Sequence, residues 1–232
     1  MEFLLGVLSP RDLDYFWNSL NKVDYVDIVI ARNMEIAKAL ETLRNYALEH
    51  GYDYMIVVSD DTIIPYDAPA KLMLDCKLYE YKVITGYSKI RPNVEDCNIT
   101  LEPPANIDKK LNQTVWYHEY KFVKYRDIEK MLLEGKTIVK VWFVGWSLTA
   151  IHREVLEKIK FRGWVTKKDK YGVWNQSCDL AFSYDIAKMG YEAYCDLTVY
   201  VPHIPTGRVN LNLGRYPEEL VIKNKKRDIT SF

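Results

Sequence analysis

The chain has 232 residues with 32 basic and 32 acidic side chains, so its formal net charge is zero, and 48% of it is hydrophobic. That length fits one domain, or one with a subdomain, and the apolar share is enough for a sizeable core. The balanced charge argues against a nucleic-acid binder, which would carry a basic excess, and no apolar run is long enough to span a membrane.

Cys76, Cys97, Cys178 and Cys195 have no CxxC spacing, which argues against a zinc or thioredoxin-like motif. Buried free thiols are expected, with a disulfide as the alternative. The first residues lack the basic n-region of a signal peptide, so a cytoplasmic protein is the simplest expectation.

In chain order, Phe3 to Leu8 reads as a strand broken by Ser9-Pro10, and Leu13, Phe16, Trp17 and Leu20 then follow helical spacing. Tyr25 to Ile30 is a second strand. Asn33 is placed to cap a long helix with Ile36, Leu40, Leu43 and Ala47 on one face, stopped by Gly51. The apolar run Tyr54-Met55-Ile56-Val57-Val58 is a buried strand leading into Ser59-Asp60-Asp61. This alternation of strand and helix predicts right-handed crossovers and a mostly parallel sheet with helices on both faces.

Farther on, Ala70 to Leu78 reads as a helix and Lys82 to Thr85 as a strand. From Asn93 to about Lys110 the chain is polar and aperiodic, a long loop of the kind that forms lids. Val115 to Val123 is extended, Asp127 to Leu133 helical, Thr137 to Val144 one strand, Leu148 to Ile151 apolar, and Arg153 to Ile159 helical. Arg162 to Ser177 is irregular. Asp179 opens a helix in which Phe182, Ile186 and Met189 share a face, and Tyr194 to Val201 is the final strand, ending in Pro202-His203. One domain over 1–205 and a polar C-terminal tail over 206–232 is the organisation expected.

Asp60 and Asp61 stand where a parallel strand would end, the place where open α/β sheets bind ligands. Two adjoining carboxylates repel unless something positive lies between or beside them, and a hard divalent cation is one answer. A solvated pair of loop aspartates, or a helix cap, is the other reading.

The order of these parts resembles a glycosyltransferase of the GT-A (Rossmann-like) fold, close to the family 2 type, over most of Phe3 to His203. Ala31-Arg32-Asn33, the following helix and the run from Gly51 to Asp61 are similar to that family's approach to its metal-binding DxD motif. Gly86-Tyr87-Ser88-Lys89-Ile90-Arg91 matches a Gly and basic segment, and Val144-Gly145-Trp146-Ser147 an acceptor-side glycine. Ser177-Cys178-Asp179 resembles a Glu-Asp motif, and the stretch from Tyr191 to His203 a closing strand that ends in histidine. Ser59 and Cys178 depart from the pattern, standing where a first Asp and a Glu would be. The compact size is also similar to that of small glycosyltransferases of archaeal viruses.

The resemblance implies a metal-dependent transferase that moves a sugar from a nucleotide-sugar donor, UDP- or GDP-linked, to a hydroxyl on a glycan, protein or lipid, with inversion. It implies a divalent cation on Asp61 and His203, and a nitrogen ligand suits manganese better than magnesium. Ser9, Arg32, Asp60, Lys89 and Arg91 fall on the donor side, Gly145 and Trp146 on the acceptor side, and Asp179 as the catalytic base. Each also has a plain structural reading: His203 as a turn histidine, Arg32, Lys89 and Arg91 as solvated charges, Trp146 as core, Asp179 as a helix cap. A nucleotidyltransferase is the alternative enzyme, against which Ser9-Pro10-Arg11 stands in place of a glycine-rich loop. A non-catalytic nucleotide- or glycan-binding protein on the same scaffold is the alternative of another class.

Overall fold

The computed structural model describes residues 1–11, 13–110, 113, 115–165, 175–176, 178–204 and 216–223. The first unit is strand β1 (Phe3–Ser9), helix α1 (Asp14–Leu20), β2 (Asp27–Arg32), α2 (Ile36–Glu49) and β3 (Tyr54–Ser59). β1 lies between β2 and β3 and is parallel to both. A strand flanked on both edges and buried on both faces needs a continuous apolar run, and every residue of β1 is buried. Its side chains alternate. Leu4 and Leu8 join Leu40, Leu43 and Ala47 of α2 on one face, while Phe3, Leu5 and Val7 join Phe16 and Leu20 of α1 on the other.

Asn33 does not cap α2. Its backbone is left-handed (φ 58°), its N–H donates to the Ser9 carbonyl at 3.1 Å, and its Nδ2 donates to the Pro217 carbonyl at 3.0 Å. Asn tolerates that conformation better than most residues. Glu35 is the cap instead, accepting from the Lys38 N–H at 3.4 Å.

Helix α3 (Ala68–Tyr79) covers the α1 face with Leu72 and Cys76, and β4 (Val83–Tyr87) follows. The expected loop from Asn93 to Lys110 is instead partly ordered into β5 (Asp96–Thr100) and a 3-10 turn at Ile107–Lys110. Cys97 and Ile99 are fully buried and alternate with Asp96 and Asn98, a period of two masked by strand-poor residues. β5 pairs with β6 (Phe122–Lys124), which leads into α4 (Tyr125–Leu133). Val115 to Val123, read as extended, holds a 3-10 turn at Tyr117–Glu119 before β6.

The strand expected over Thr137 to Val144 divides at Trp142. Its first part, β7 (Ile138–Val141), belongs to the main sheet, and β8 (Phe143–Val144) pairs with β5 in a three-stranded second sheet. The Trp142 N–H donates to the Thr100 carbonyl at 2.7 Å at the crossing.

β9 (Thr149–His152) inserts antiparallel between β3 and β4, so those two run the same way. After α5 (Arg153–Lys158), β10 (Trp164–Val165) pairs with β11 (Asn175–Gln176); the rest of the irregular 162–177 stretch lies largely outside the described residues. α6 (Cys178–Lys188) leads to β12 (Ala193–Tyr200), parallel to β4. The register of that pair shifts between Cys195 and Tyr200, and a Cβ on Gly86 would lie 2.6 Å from Val199 Cγ1, so only glycine fits there.

β12 is not the last strand. β13 (Glu219–Lys223), in a segment expected to be polar tail, pairs antiparallel with β2 at the sheet edge. The described main sheet is eight-stranded, in the order β13-β2-β1-β3-β9-β4-β12-β7. It is the mostly parallel α/β architecture with helices on both faces that the sequence predicts. All four cysteines are free and buried, and no helix among the described residues is long and apolar enough to cross a membrane.

One buried contact carries a pH signature. Asp75 of α3 meets Asp196 of β12, and burial, then the charge of and hydrogen bond to that neighbouring carboxylate, raise its pKa to about 7. The folded protein therefore holds a proton that the unfolded chain gives up near the ordinary 3.8. The penalty for ionising Asp75 is absent below the unfolded value and grows as pH rises toward the folded one. Asp75→Asn should raise the melting temperature more at about pH 8 than at about pH 5. An equal shift at both pH values in thermal denaturation would contradict this account.

Candidate active site

Strands β1, β2, β3, β4 and β12 all point their carboxyl ends to one edge of the main sheet. At the end of β3, the Ser59 N–H donates to the Trp146 carbonyl at 2.9 Å and the Asp60 N–H to the Leu8 carbonyl at 3.0 Å. These two bonds pin the aspartate turn between the β1 end and the segment before β9. The Ile63 N–H donates to the Pro202 carbonyl at 2.9 Å and the Ile204 N–H to the Asp61 carbonyl at 2.8 Å, tying the turn to the residues after β12. His203 Nε2 thereby reaches 3.2 Å from Asp61 Oδ2.

The positive group beside the two carboxylates is Arg11. Its Nε lies 2.7 Å from Asp60 Oδ1 and its backbone N–H 2.8 Å from Asp60 Oδ2. Nη1 lies 2.8 Å from Asp61 Oδ2, and Nη2 donates to Ser59 Oγ at 2.8 Å. Asp60 is fully buried, so this pairing makes its charge tolerable. Sequence reasoning looked for a cation there and considered a metal; the signal it passed over was an arginine directly after Ser9-Pro10, two residues past the strand that neighbours β3. Ser59, the departure from a three-aspartate pattern, accepts the far end of that guanidinium.

Burial alone would raise the Asp61 pKa, but the His203 hydrogen bond and the Arg11 charge outweigh it and hold the carboxyl below its usual value. The same Asp61 hydrogen bond raises His203 above the usual imidazole value against the opposing effect of burial. His203 Nδ1 lies 2.9 Å from the Ile90 carbonyl. A carbonyl only accepts, so Nδ1 is assigned the proton and Nε2 faces a carboxylate oxygen. That arrangement needs a proton or a metal cation between Nε2 and Oδ2.

The donor set fits a cation. An imidazole whose other nitrogen is fixed by a carbonyl is the usual form of a metal-binding histidine. Asp61 Oδ2 and His203 Nε2, 3.2 Å apart, are close enough that both would reach one cation. Among the described residues no group of three or more His, Cys, Asp or Glu side chains gathers at one point. A cation here would have Asp61 and His203 as protein ligands and complete its shell with phosphate and water oxygens.

A cavity of about 470 Å³ opens on this cluster. Arg11, Asp61 and His203 line one side, and Gly145, Trp146 and Asp179 line it elsewhere. Asp179 lies in the first turn of α6, one residue past its start at Cys178, and its Oδ1 accepts from the Leu180 N–H at 2.9 Å. Cys178, which stands where the motif has Glu, is buried and its thiol is pushed up to about 12 by burial.

Gly145 is needed because a Cβ there would lie 2.5 Å from Asn98 Nδ2. Asn98 bridges the two sheets, accepting from the Ser88 N–H at 2.8 Å and donating to Ser147 Oγ at 2.7 Å. Trp146 is 9% exposed and packs on Phe182 and Phe161 with centroids 5.1 and 6.0 Å away, so most of its ring belongs to the core.

Other expected site residues stand away from this lining among the described residues. Ser9 is fully buried and its hydroxyl has no partner among the described residues. Arg32 pairs with Glu219 at 3.2 Å and lies over Trp17. Lys89 pairs with Glu95 at 3.1 Å over the Tyr125 ring, and Arg91 is exposed.

The aromatic part of the lining was not anticipated. Tyr117, Tyr120, Phe122 and Phe143 line the cavity from the second sheet and its approach. Tyr120 and Phe122 stack at 5.0 Å with planes 4° apart, and the Tyr117 hydroxyl donates to Asp96 Oδ2 at 2.7 Å.

No protein-family model and no curated protein matches this chain. Among solved structures, the crystal structure of A197 from STIV is 19% identical, covers 97% of this chain and 95% of its own, and has a TM-score of 0.53, a likeness of fold. The mannosyltransferase PcManGT from Pyrobaculum calidifontis, in complex with GDP-Man and Mn2+, is 13% identical with a TM-score of 0.47. That match covers 90% of this chain and 58% of the mannosyltransferase chain.

The Asp61–His203 pair predicts a pH-dependent stability. The raised His203 pKa contributes stability that is fully present below the unfolded imidazole value and lost as pH rises through the folded one. The depressed Asp61 pKa contributes stability present above the unfolded carboxyl value and lost as pH falls through the folded one. With chelator present, the melting difference between wild type and His203→Gln should be largest near pH ~5.5 and shrink on the alkaline side. A difference that stays constant across that range would refute the pairing.

Proposed function

We propose that this chain is a glycosyltransferase that moves a sugar from a nucleotide-sugar donor to a hydroxyl acceptor with inversion. The observation that carries this reading is that Asp61, His203 and Asp179 share one cavity beyond the carboxyl ends of the parallel strands. Asp61 and His203 hold a divalent cation, manganese in preference to magnesium because one ligand is nitrogen. When bound, that cation supplies Lewis-acid stabilisation of the departing diphosphate.

The remaining roles fall to side chains. Asp179 accepts the proton of the acceptor hydroxyl as its oxygen bonds to the anomeric carbon, and the bond from that carbon to the diphosphate breaks with its electrons on the leaving oxygen. The wall of Tyr117, Tyr120 and Phe122 offers flat apolar faces for a sugar ring, holding the acceptor against Asp179. Asp179 Oδ1 also accepts from the Leu180 N–H in the first turn of α6, which ties the carboxylate to the helix start.

The Arg11 guanidinium across Asp60 and Asp61 favours a second reading, a nucleotide- or glycan-binding protein without turnover, because with a proton on His203 that cluster is charge-balanced without a metal. Thermal shifts with UDP and GDP, each with and without manganese, together with assays of donor hydrolysis and transfer, separate the two. The enzyme reading expects metal-dependent stabilisation and turnover. Binding with no turnover favours the second reading.

Two variants test the assignments. Asp61→Asn should remove the manganese-dependent part of the stabilisation and leave the fold intact; unchanged metal dependence would overturn its role as a ligand. Asp179→Asn keeps hydrogen-bonding capacity but cannot take the proton, so transfer should fall on the order of 10²-fold or more with melting and donor binding near normal. Transfer close to the wild-type rate, or a product that retains the donor's anomeric configuration, would overturn Asp179 as the base of an inverting reaction.

A further inference from the structure

We propose that Arg11 is an exchangeable counter-ion: its guanidinium holds the aspartate pair closed to a metal cation until a diphosphate arrives to receive it. This rests on the cation site proposed for Asp61 and His203 and concerns what occupies that site beforehand.

The two ends of Arg11 are held differently. The backbone N–H and Nε both go to Asp60, at 2.8 and 2.7 Å, and Asp60 is fully buried. That end is a fixed anchor. The outer end goes to Asp61 Oδ2 through Nη1 and to Ser59 Oγ through Nη2, each at 2.8 Å. Asp61 Oδ2 is the same atom that faces His203 Nε2 at 3.2 Å. One carboxylate oxygen, Asp61 Oδ2, is therefore shared by the guanidinium and the imidazole.

A divalent cation between Asp61 Oδ2 and His203 Nε2 would stand against the Nη1 end with like charge. At such separations, in a partly buried site, that repulsion is strong. The outer end of Arg11 must leave Asp61 for the cation to bind well. Arg11 lines the cavity, and its side chain is 13% exposed, so the space it can turn into is the space a donor would fill. A planar guanidinium matches phosphate oxygens with paired hydrogen bonds.

In the absence of nucleotide, Arg11 and a cation compete for Asp61. With a diphosphate bound, both have a negative partner and the competition ends. Cation and diphosphate then favour each other's binding, and by linkage the favour is reciprocal. The protein would bind metal weakly when alone and strongly with the donor, without a separate moving lid.

The test is manganese binding to the whole nucleotide-free chain, read from the electron paramagnetic resonance signal of the free ion. Arg11→Gln should tighten manganese binding on the order of tenfold. Arg11→Lys keeps a positive partner for buried Asp60 but lacks the fork that spans both carboxylates, so it protects the fold and should still tighten binding severalfold. In either background, adding GDP or UDP should improve manganese affinity by less than in wild type.

If both variants stay within about twofold of wild type while Asp61→Asn abolishes binding, the cation site stands and the exchange is refuted. If Asp61→Asn binds manganese as wild type does, the cation site itself is misplaced. If no form binds manganese, with or without nucleotide, both are refuted.

Discussion

Two carboxylates side by side at a buried strand end are held by charges that come from opposite ends of the chain. Asp60 is fully buried and the Asp61 side chain is 16% exposed, and Arg11 and His203 face them from just after β1 and just after β12. An uncompensated carboxylate in that position would be strongly destabilising. The turn from Ser59 to Asp61 can exist only if β1 lies next to β3 and β12 ends opposite both. The charge balance is thus a constraint on topology as much as a feature of the site.

The sheet meets that constraint by a detour. β9 runs antiparallel between β3 and β4, which moves β4 and its parallel partner β12 one strand farther from β3. The residues after β12 recover the distance by hydrogen-bonding back to the aspartate turn, through Ile63 and Ile204. The second sheet closes the opposite side, joined to the first by Asn98 and Ser147 where Gly145 leaves room. A lining that combines charged groups from the main sheet with aromatic rings from the second follows from two sheets that meet at Trp142.

What could be read from the sequence tracks how far each signal is local. The apolar runs of β1 and β3, and the helical spacing of α2, announce themselves because burial on both faces or on one stripe dictates residue type. Asp61, Asp179, Gly145, Trp146 and His203, each singled out by the order of motifs, line one cavity, while Ser9, Arg32, Asp60, Lys89 and Arg91 lie outside its lining. β5 was not, because its buried Cys97 and Ile99 alternate with Asp and Asn, which are rare in strands. Asn33 reads as a cap by residue type, and only the neighbouring Ser9 and Pro217 carbonyls reveal a left-handed turn instead. Arg11 was hidden because the need for a positive charge beside two aspartates does not say whether protein or metal supplies it.

The last described strand changes the meaning of the polar tail. β13 covers the hydrogen-bonding edge of β2, residue for residue from Glu219 opposite Arg32 to Lys223 opposite Ile28. Beneath it lies Ile28-Val29-Ile30-Ala31, an apolar run that would be an open template for another chain if uncovered. β13 leaves Leu220 and Ile222 exposed, while Glu219 pairs with Arg32 and Glu218, just before the strand, with Lys38. A protein shortened at residue 205, where the sequence invites a cut, would keep its cavity-lining side chains and lose the cover on its stickiest edge. Self-association, rather than a lost catalytic group, is the failure to expect from such a truncation.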